Sequence, residues 1–459
     1  MATDEMRARV AELAGRVRGP VLVPDQEGYE EELSGFQAGY RHQPAVVVGA
    51  ESAEDVQAAV RFAVSLGVAV AVQSTGHGVT VLDEGGVVIS TKRMQDVTVD
   101  PPSRSARIGA GAQWEQVVLA AEPHGLVPPS GSAGHVGVAG YTLAGGIGLL
   151  AREFGYAADH VRALDVVTAD GELRRVTADS DPDLFWALRG ARDNFGVVTS
   201  LEITLQPVPR IYGGGVFFGS EHAEEVFALF REWTAQVPET MTSSVGMIGY
   251  PPIPVFPESL RGRHVVHVRF ATTDLKAGPE LVRPWLEVAP TLLEHLGELP
   301  YGEAGAIYRE PNFAHYYDGN SVLLSELTPE ALDAVRELAG AEAPVSCVVD
   351  LRHLGGALSR VPEVPNAVSF REAQYILRVL SAPDEVGLDE VRTAHERVYK
   401  AVAPWTIGRS LNFVYGMRTA GDFRSELYET AVLTRLSALK AKYDPDNVFR
   451  RNQNIEPAA

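Results

Sequence analysis

Residues Gly131–Gly148 read GSAGHVGVAGYTLAGGIG, and glycine occupies seven of these eighteen positions. Neither a helix nor a strand favours this composition, because glycine loses more conformational freedom on folding than any other residue. The segment therefore predicts backbone that turns sharply or lies against something flat and bulky. The elements on either side of it indicate which kind of fold surrounds it.

The chain before this segment predicts a β-α-β unit. Ala45–Val48 is a short apolar run, Ser52 opens a helix that Gly67 ends, and Val68–Val72 has the continuous apolar pattern of a buried strand. A helical crossover of this kind favours parallel strands. The loop Ser74–Gly78 follows the second strand directly.

The chain after this segment predicts antiparallel structure and then a second sheet. Val161–Thr168 and Glu172–Thr177 flank Asp170-Gly171, which is a strong hairpin signal. Gly196–Leu205 reads as a further strand. From about Ile211 aromatic residues increase and strand-like runs alternate with helix-like runs, which indicates a second layer in which a sheet carries helices.

Composition excludes several classes of partner. The 459 residues suit two or three domains, and 40 basic against 60 acidic residues give a net charge of −20. This charge argues against nucleic acid and against an anionic membrane surface as partners. The lone Cys347 rules out an internal disulfide and a multi-cysteine metal site, and we predict no metal. No run reaches the ~18 apolar residues of a membrane span, so we expect a cytoplasmic protein.

Gly76-His77-Gly78 is the first candidate for chemistry. Flanking glycines allow close approach of a ligand, which the imidazole could reach as donor, base or nucleophile. Taken alone, the motif is weak and is more typical of an ordinary loop histidine. The first strand lacks a Gly-x-Gly-x-x-Gly fingerprint, and the chain has no Gly-Lys-Ser/Thr and no His-Glu-x-x-His motif.

Five blocks in a particular order carry a resemblance to a known family. The Gly-His-Gly loop and the glycine-dense segment are followed by DPDLFWALRGARDNFGVVTSLEITL (181–205), LGGALSRVP (354–362) and KYDPDNVFRRNQNI (442–455). From about residue 43 to residue 455 the chain resembles bacterial FAD-linked oxidases of the berberine-bridge-enzyme type, with a histidyl flavin. Their FAD domain is shared with vanillyl-alcohol oxidase.

The resemblance implies an α+β fold with α/β elements. Residues 1–210 would form the first part of a PCMH-type FAD-binding domain, and residues 211–410 a separate substrate domain of an antiparallel sheet with helices. Residues 411–459 would return to the FAD domain.

The resemblance also implies which residues hold FAD. A pyrophosphate needs backbone N–H donors and little side-chain bulk, which a glycine-rich backbone supplies despite the negative net charge. The residues expected to bind the cofactor are Ser74, Thr75, Gly76, His77, Gly78, Val79, Gly131, Ser132, Gly134, His135, Gly137, Val138, Gly140, Tyr141, Thr142, Gly145, Gly146, Gly148, Gly196, Val198 and Asn454.

In the family, the loop histidine bonds covalently to the C8-methyl carbon of the flavin, and His77 occupies that position. Some members add a second bond through a cysteine of the glycine-rich block. The aligned residue here is Ala133, which cannot form a thioether. We therefore expect a single attachment, through His77.

The catalytic residues depart from the family pattern. The usual Asn-Tyr pair, whose tyrosine is the base, reads Asn412-Phe413, and the usual His-Arg pair reads Phe370-Arg371. On a strand, Tyr415 would share the side of Phe413 and could partly substitute for the missing base. Asn412 and Tyr415 are therefore candidate catalytic residues.

Two further candidates lie on predicted strands of the middle region. Asp350 would share a strand face with Val348 and Arg352, so its carboxylate is either paired with Arg352 or functional. Tyr375 is either catalytic or a core aromatic residue. A loop cluster reads as pocket wall or surface: Tyr308, His315, Tyr316 and Tyr317.

The expected function is that of an FAD-dependent oxidase. A hydride would leave an alcohol, amine or activated carbon of a small substrate, a base would take the accompanying proton, and O2 would reoxidise the flavin to give H2O2. The Ala-, Gly-, Val- and Arg-rich composition points to secondary metabolism. Two alternatives stay open: an oxygenating tailoring enzyme, and a flavoprotein that sequesters a metabolite. The oligomeric state is open as well.

Overall fold

The computed structural model describes residues 3–79, 85–384, 386–415 and 424–459. Its strands form three sheets, of four, five and eight strands. The first two sheets come from the chain before Arg210, and the third lies within residues 210–408. Along the described residues, no helix combines the length and the apolar character that crossing a bilayer demands.

The first sheet has the strand order β1-β2-β4-β3. Ser52 caps the helix between β2 and β3 by accepting the N–H of Asp55, and Gly67 ends it at φ 68°. Both β2 and β3 pair in parallel with β4, which lies between them. The expected parallel β-α-β unit is therefore present, with one strand inserted. Its elements are β1 (Val21–Leu22), β2 (Val46–Gly49), β3 (Val70–Gln73), β4 (Val87–Ser90), α1 (Thr3–Ala14), α2 (Tyr29–Leu33) and α3 (Ala53–Leu66).

The second sheet is antiparallel, in the order β5-β6-β9-β7-β8. The hairpin predicted around Asp170-Gly171 is confirmed, because β7 pairs with β8. Asp181 caps the following helix by accepting the N–H of Leu184. Its elements are β5 (Val97–Asp100), β6 (Ser105–Gly109), β7 (Val161–Val167), β8 (Leu173–Val176), β9 (Val197–Thr204), α4 (Trp114–Ala121), α5 (Val138–Leu143), α6 (Ala151–Phe154) and α7 (Pro182–Leu188).

The third sheet is antiparallel, in the order β13-β10-β12-β11-β15-β16-β14-β17. One face is apolar and packs on helices through Phe227, Phe230 and Val391. Its elements are β10 (Arg210–Gly219), β11 (Met241–Gly249), β12 (His264–Thr272), β13 (Thr291–Pro300), β14 (Asp318–Leu324), β15 (Val348–His353), β16 (Tyr375–Ser381), β17 (Thr406–Gly408), α8 (Ala223–Thr234), α9 (Gly278–Val282), α10 (Pro329–Ala339) and α11 (Leu388–Ala401).

The end of the chain returns to the first region. Helices α12 (Arg424–Leu427) and α13 (Thr430–Tyr443) bring Leu436 and Ile455 into the core that also holds Trp114. The fully buried Lys440 pairs with Asp444 at 2.6 Å and donates to the carbonyl oxygen of Asn194. Parallel and antiparallel sheets joined to a helix-backed antiparallel sheet confirm the expected α+β fold class.

Two local expectations are wrong. The glycine-dense segment contains helix α5, because Val138, Ala139 and Leu143 reach the buried core and outweigh the cost of Gly140. Leu411–Phe413 forms a 3₁₀ turn and not a strand. The alternating pattern there is overridden by tertiary hydrogen bonds from the Asn412 side chain.

Candidate active site

A cavity of about 590 Å³ lies between the loops of the first region and the polar face of the third sheet. Its volume falls within the range of about 300–1,000 Å³ that is typical of small-molecule sites. We call its two sides the loop wall and the strand wall. The loop wall comes from the segment 73–79, the glycine-dense segment, residues 192–198 and residues 451–453. The strand wall comes from β11, β12, β15 and β16.

A tight turn brings His77 to the loop wall. Gly76 has φ +70°, and a Cβ atom at this position would lie 2.7 Å from the Cα of Gly35. Only glycine satisfies both constraints, because other residues avoid this conformation and there is no room for a side chain. The hydroxyl of Tyr317 donates to the backbone oxygen of His77 at 2.7 Å and ties the loop to the strand side.

The imidazole of His77 is neutral and one of its nitrogens has no partner. Burial, aided by His135 and His315, lowers its pKa to about 3. Nδ1 lies 2.8 Å from the hydroxyl oxygen of Thr75, which also accepts the N–H of Gly137. Nε2 is buried and has no hydrogen-bond partner among the described residues. When Nδ1 donates to Thr75, Nε2 therefore carries a free lone pair.

The rest of the loop wall is poor in side chains. Gly137, Ala139, Gly140 and Leu143 contribute one side of α5 to it, and no atom lies within 4 Å of the position that a Cβ would take at Gly140. Within the described part of the chain, four buried polar atoms of this wall lack partners: Ser74 Oγ, His77 Nε2, Tyr141 Oη and Asn452 Oδ1. Such a surface suits a flat ligand that accepts and donates hydrogen bonds.

The strand wall is charged. Asp350 lies 2.8 Å from Arg269, 2.6 Å from Arg352 and 3.1 Å from Arg378. Burial alone would raise the pKa of Asp350, yet the three guanidinium groups hold it well below its usual range. Arg352 and Arg378 both lie over the ring of Phe413, each with its guanidinium carbon 5.2 Å from the ring centroid.

Glu310 lies where the two walls meet. Its Oε1 accepts a hydrogen bond from Ser132 at 3.0 Å and lies 3.8 Å from Arg378. Tyr317 and Tyr415 line the cavity nearby, with ring centroids 5.3 Å apart. Burial raises the pKa of both phenols above its usual value, so both are protonated at neutral pH.

Similar proteins are known along nearly the whole chain. A FAD-linked oxidoreductase from Dictyostelium discoideum is 25% identical over 98% of this chain and 97% of its own length. (R)-6-hydroxynicotine oxidase from Paenarthrobacter nicotinovorans is 27% identical over 96% of this chain and 97% of its own. The structure of xylooligosaccharide oxidase from Myceliophthora thermophila C1, in complex with xylobiose, superimposes with a TM-score of 0.86 at 22% identity, covering 98% and 100% of the two chains.

Two segments of the chain match known protein families. Residues 44–177 match the family described as FAD binding domain, and residues 412–456 match the family described as berberine and berberine like. The protein is an FAD-linked oxidoreductase, and its matched segments are similar to the FAD-binding and berberine-like families. The neutral, side-chain-poor loop wall with its unpartnered polar atoms fits the flat ring system of FAD.

Most residues expected to bind FAD in this oxidoreductase line the cavity. They are Ser74, Thr75, Gly76, His77, Gly78, Val79, Gly131, Ser132, His135, Gly137, Gly140, Tyr141, Gly196 and Val198. Ala133, the position of the second attachment in other members, lines it too. Cys347 is buried in the core behind the third sheet.

The remaining expected cofactor residues lie outside the cavity lining. Gly134, Gly145, Gly146 and Gly148 pack closely against protein, so that a Cβ at Gly146 would lie 2.5 Å from the ring of Tyr141. Val138 and Thr142 lie on the core side of α5 and are fully buried. In the tail, Asn452 and Gln453 line the cavity and Asn454 does not. At these positions the glycines are explained by close packing within the protein and not by contact with the cavity.

The expected catalytic residues separate into three that line the cavity and one that does not. Asp350, Asn412 and Tyr415 line it. Asn412 uses both ends of its amide within the protein, since it accepts from Gly146 N–H at 2.8 Å and donates to the oxygen of Tyr141 at 2.9 Å. Tyr375 lies on the apolar face of β16, with its hydroxyl 2.7 Å from that of Thr234, and is a core aromatic residue.

The other residues named from the sequence lie partly inside and partly outside the cavity. Tyr308, His315 and Tyr317 line the cavity, whereas Tyr316 packs edge-on against Tyr40 outside it. Arg371 pairs with Asp159 at 2.6 Å, away from the cavity. The reasoning from sequence missed Phe36, Arg192, Arg269, Glu310 and Arg378, all of which line the cavity.

Phe36 and Arg192 carried weak signals in the sequence. Phe36 stacks on His77 with centroids 4.1 Å apart and planes 11° apart, but it is distant in the chain. Arg192 lies inside the block of residues 181–205 at φ +54°, and its Nη1 donates to Gln453. Its neighbourhood in that block was the one signal that could have found it.

Proposed function

We propose that the protein is an oxidase with FAD bound covalently through His77 alone. The observation that carries this proposal is the neutral imidazole on a glycine-rich wall, with a buried Nε2 that has no partner among the described residues. Overall, attachment would replace a methyl C–H of the flavin and an N–H of the imidazole with one C–N bond, and O2 would take up both hydrogens as H2O2. Ala133 offers no thiol for a second bond.

The bound cofactor would supply a two-electron acceptor for a substrate C–H hydride, and O2 would then accept those electrons to give H2O2. The substrate is a small molecule that is oxidised at an alcohol, amine or activated carbon. The strand wall holds it against the loop wall and excludes water. With a single cysteine and a net charge of −20, we place this activity in the cytoplasm, in secondary metabolism, without nucleic acid or membrane partners.

Glu310 is the proposed acceptor of the substrate proton. A base must be able to accept a proton and must reach the cavity. Tyr141, Tyr317 and Tyr415 are protonated, because burial raises the pKa of each phenol. Asp350 is bound by three arginines, whereas Glu310 is partly exposed and hydrogen-bonded to Ser132.

The attachment is tested on acid-precipitated protein. We expect the washed wild-type pellet to stay yellow and the His77→Ala pellet to be colourless, with all the flavin in the supernatant. His124→Ala, at an exposed histidine, is the matched control and should stay yellow. A colourless wild-type pellet would falsify covalent attachment.

The chemistry is tested by stopped-flow reduction and reoxidation. Substrate should bleach the flavin, and air should restore the colour within seconds with one H2O2 formed per turnover. A spectral shift without bleaching would instead identify a binding protein, and ¹⁸O from O2 in the product would identify an oxygenating enzyme.

A further inference from the structure

The strand wall carries more positive than negative charge. Arg269, Arg352 and Arg378 share the single carboxylate of Asp350 at 2.6–3.1 Å. The next nearest acid is Glu310, which lies 3.8 Å from Arg378 and 3.9 Å from Arg352. Among the residues that the structure describes, three guanidinium groups face two carboxylates, which leaves one positive charge without compensation.

Burial makes this imbalance costly. The side chains of Arg269, Arg352 and Arg378 are 8, 9 and 14% exposed. A buried charge that lacks a counter-charge destabilises a protein, and an anionic ligand that enters the site removes this cost. Arg378 also keeps a buried Nε without a hydrogen-bond partner among the described residues, although the residue lines the cavity. The cluster therefore has both a charge and a donor left for a ligand.

The cluster is held rigidly before any ligand arrives. Arg269 and Arg352 lie over the ring of Tyr308, with guanidinium carbons 4.7 and 4.9 Å from its centroid, and Phe413 supports Arg352 and Arg378. Arg269 also donates to His267 and to Ser244. Guanidinium groups fixed in this way do not lose further side-chain entropy on binding, which favours recognition.

We propose that this arginine cluster binds a carboxylate of the substrate, so that the enzyme oxidises a small organic acid. This inference rests on the proposed oxidase and names its substrate class. The single uncompensated charge matches a monoanion such as a carboxylate better than a phosphate dianion. Planar guanidinium groups match a planar carboxylate, and the phenol and phenyl rings of Tyr308, Tyr317 and Phe413 provide contact for an apolar or aromatic body.

The test uses benzoate and its uncharged isostere benzamide as probes, each titrated into the flavin-loaded enzyme and followed by the flavin absorbance. Loss of a buried charged partner costs several kcal/mol, and about 1.4 kcal/mol corresponds to a tenfold change in Kd. We expect benzoate to bind at least about tenfold more tightly than benzamide. Arg378→Met should weaken benzoate by about tenfold or more and leave benzamide unchanged within about twofold.

Three controls separate charge from structure. Arg378→Lys keeps the charge and should retain part of the preference for benzoate. Arg360→Met removes an arginine that is 57% exposed and should change neither Kd. Glu310→Gln removes a negative charge while its side-chain oxygen can still accept from Ser132, and it should tighten benzoate binding.

Equal affinity for benzoate and benzamide, no benzoate response at all, or equal weakening of both probes in Arg378→Met overturns the carboxylate site. If Arg378→Met does not fold, the direction of the change in Glu310→Gln decides the question alone. The oxidase proposal is judged separately. An enzyme that retains flavin in acid and turns over uncharged substrates, but does not prefer benzoate, keeps its oxidase function and loses only the carboxylate site.

Discussion

The two walls of the cavity are built on opposite principles. The loop wall offers mainly glycine-rich backbone and a neutral imidazole, whereas the strand wall offers three arginines and the carboxylate of Asp350 on a regular sheet. A cofactor common to many enzymes can be held by backbone, which varies little with side-chain identity. A particular substrate needs side chains, and a rigid strand places them accurately. With FAD on the loop wall and substrate on the strand wall, as proposed, cofactor and substrate recognition could change independently.

The largest expected effect is on the rate of proton transfer, without a change in cofactor binding. Glu310→Gln should lower kcat by about 10²–10⁴-fold, because the proton acceptor is lost while the acceptor for Ser132 remains. Stopped-flow reduction under anaerobic conditions measures this step directly. Flavin content should be unchanged, and Glu303→Gln, at an exposed position on the preceding turn, is the control. Reduction at the wild-type rate would remove Glu310 from the proposed mechanism.

The second prediction concerns the charge balance of the strand wall. Asp350→Asn should lower the free energy of unfolding by about 3–5 kcal/mol, because three buried guanidinium groups then lose their shared counter-charge. Urea unfolding gives the value. Glu172→Gln breaks an exposed pair with Arg61 and should cost less than about 1 kcal/mol. Equal costs for the two variants would show that the buried cluster is not electrostatically coupled.

The third prediction concerns the loop wall. Asn412→Ala removes two hydrogen bonds that fix the glycine-dense segment, so unfolding should become easier by about 1–3 kcal/mol. The flavin content of the purified protein should fall as well. Asn412→Asp keeps the acceptor for Gly146 and should retain more flavin than Asn412→Ala. Full flavin content in both variants would mean that this anchor is dispensable.

The last prediction concerns the pH dependence of stability. Burial and Arg451 lower the pKa of His42, which lines the cavity, to about 4. Between about pH 6.5 and 4 the unfolded chain binds this proton and the folded chain does not, so stability falls as the pH falls by up to about 1.4 kcal/mol per pH unit. His42→Gln should make this part of a urea-midpoint profile less steep, and the remaining slope comes from other buried histidines such as His77, whose pKa is lowered to about 3.

Asp350 behaves differently along the same profile. Its pKa is depressed, so its contribution is complete above the unfolded value of about 4 and is lost only as the pH falls below that. Asp350→Asn should therefore leave the slope above pH 4 unchanged. A slope between pH 6.5 and 4 that is the same in wild type and His42→Gln would contradict the assignment to His42.

The sequence predicted the loop wall because its signals are local. Gly76-His77-Gly78 and the glycine-dense segment each lie within a few residues, and their order along the chain is distinctive. The strand wall was largely missed because its residues meet only through sheet register. Asp350 and Arg378 are direct cross-strand partners, and Arg269 reaches Asp350 from a strand 81 residues earlier. The spacing of residues along the sequence does not show which strands pair or in which register.

The other wrong predictions arose because the sequence does not show which face of a strand or helix is buried. Tyr375 and Arg378 are three positions apart, so their side chains point to opposite sides of β16. The sequence pattern does not show which side faces the ligand. The apolar neighbours Leu377 and Val379 show that the side of Tyr375 is the core. Helix α5 poses the same problem, because Val138 and Gly140 lie in one motif but on different sides.

The tail of the chain has a consequence for how the holoenzyme is made. Arg451, Asn452 and Gln453 complete the loop wall, and the buried Lys440 fixes that segment against Asn194. The cavity therefore does not exist as a closed site until synthesis has passed these residues, long after His77 has left the ribosome. FAD binding should therefore require residues 451–453, and a chain that stops before Lys440 should bind no flavin.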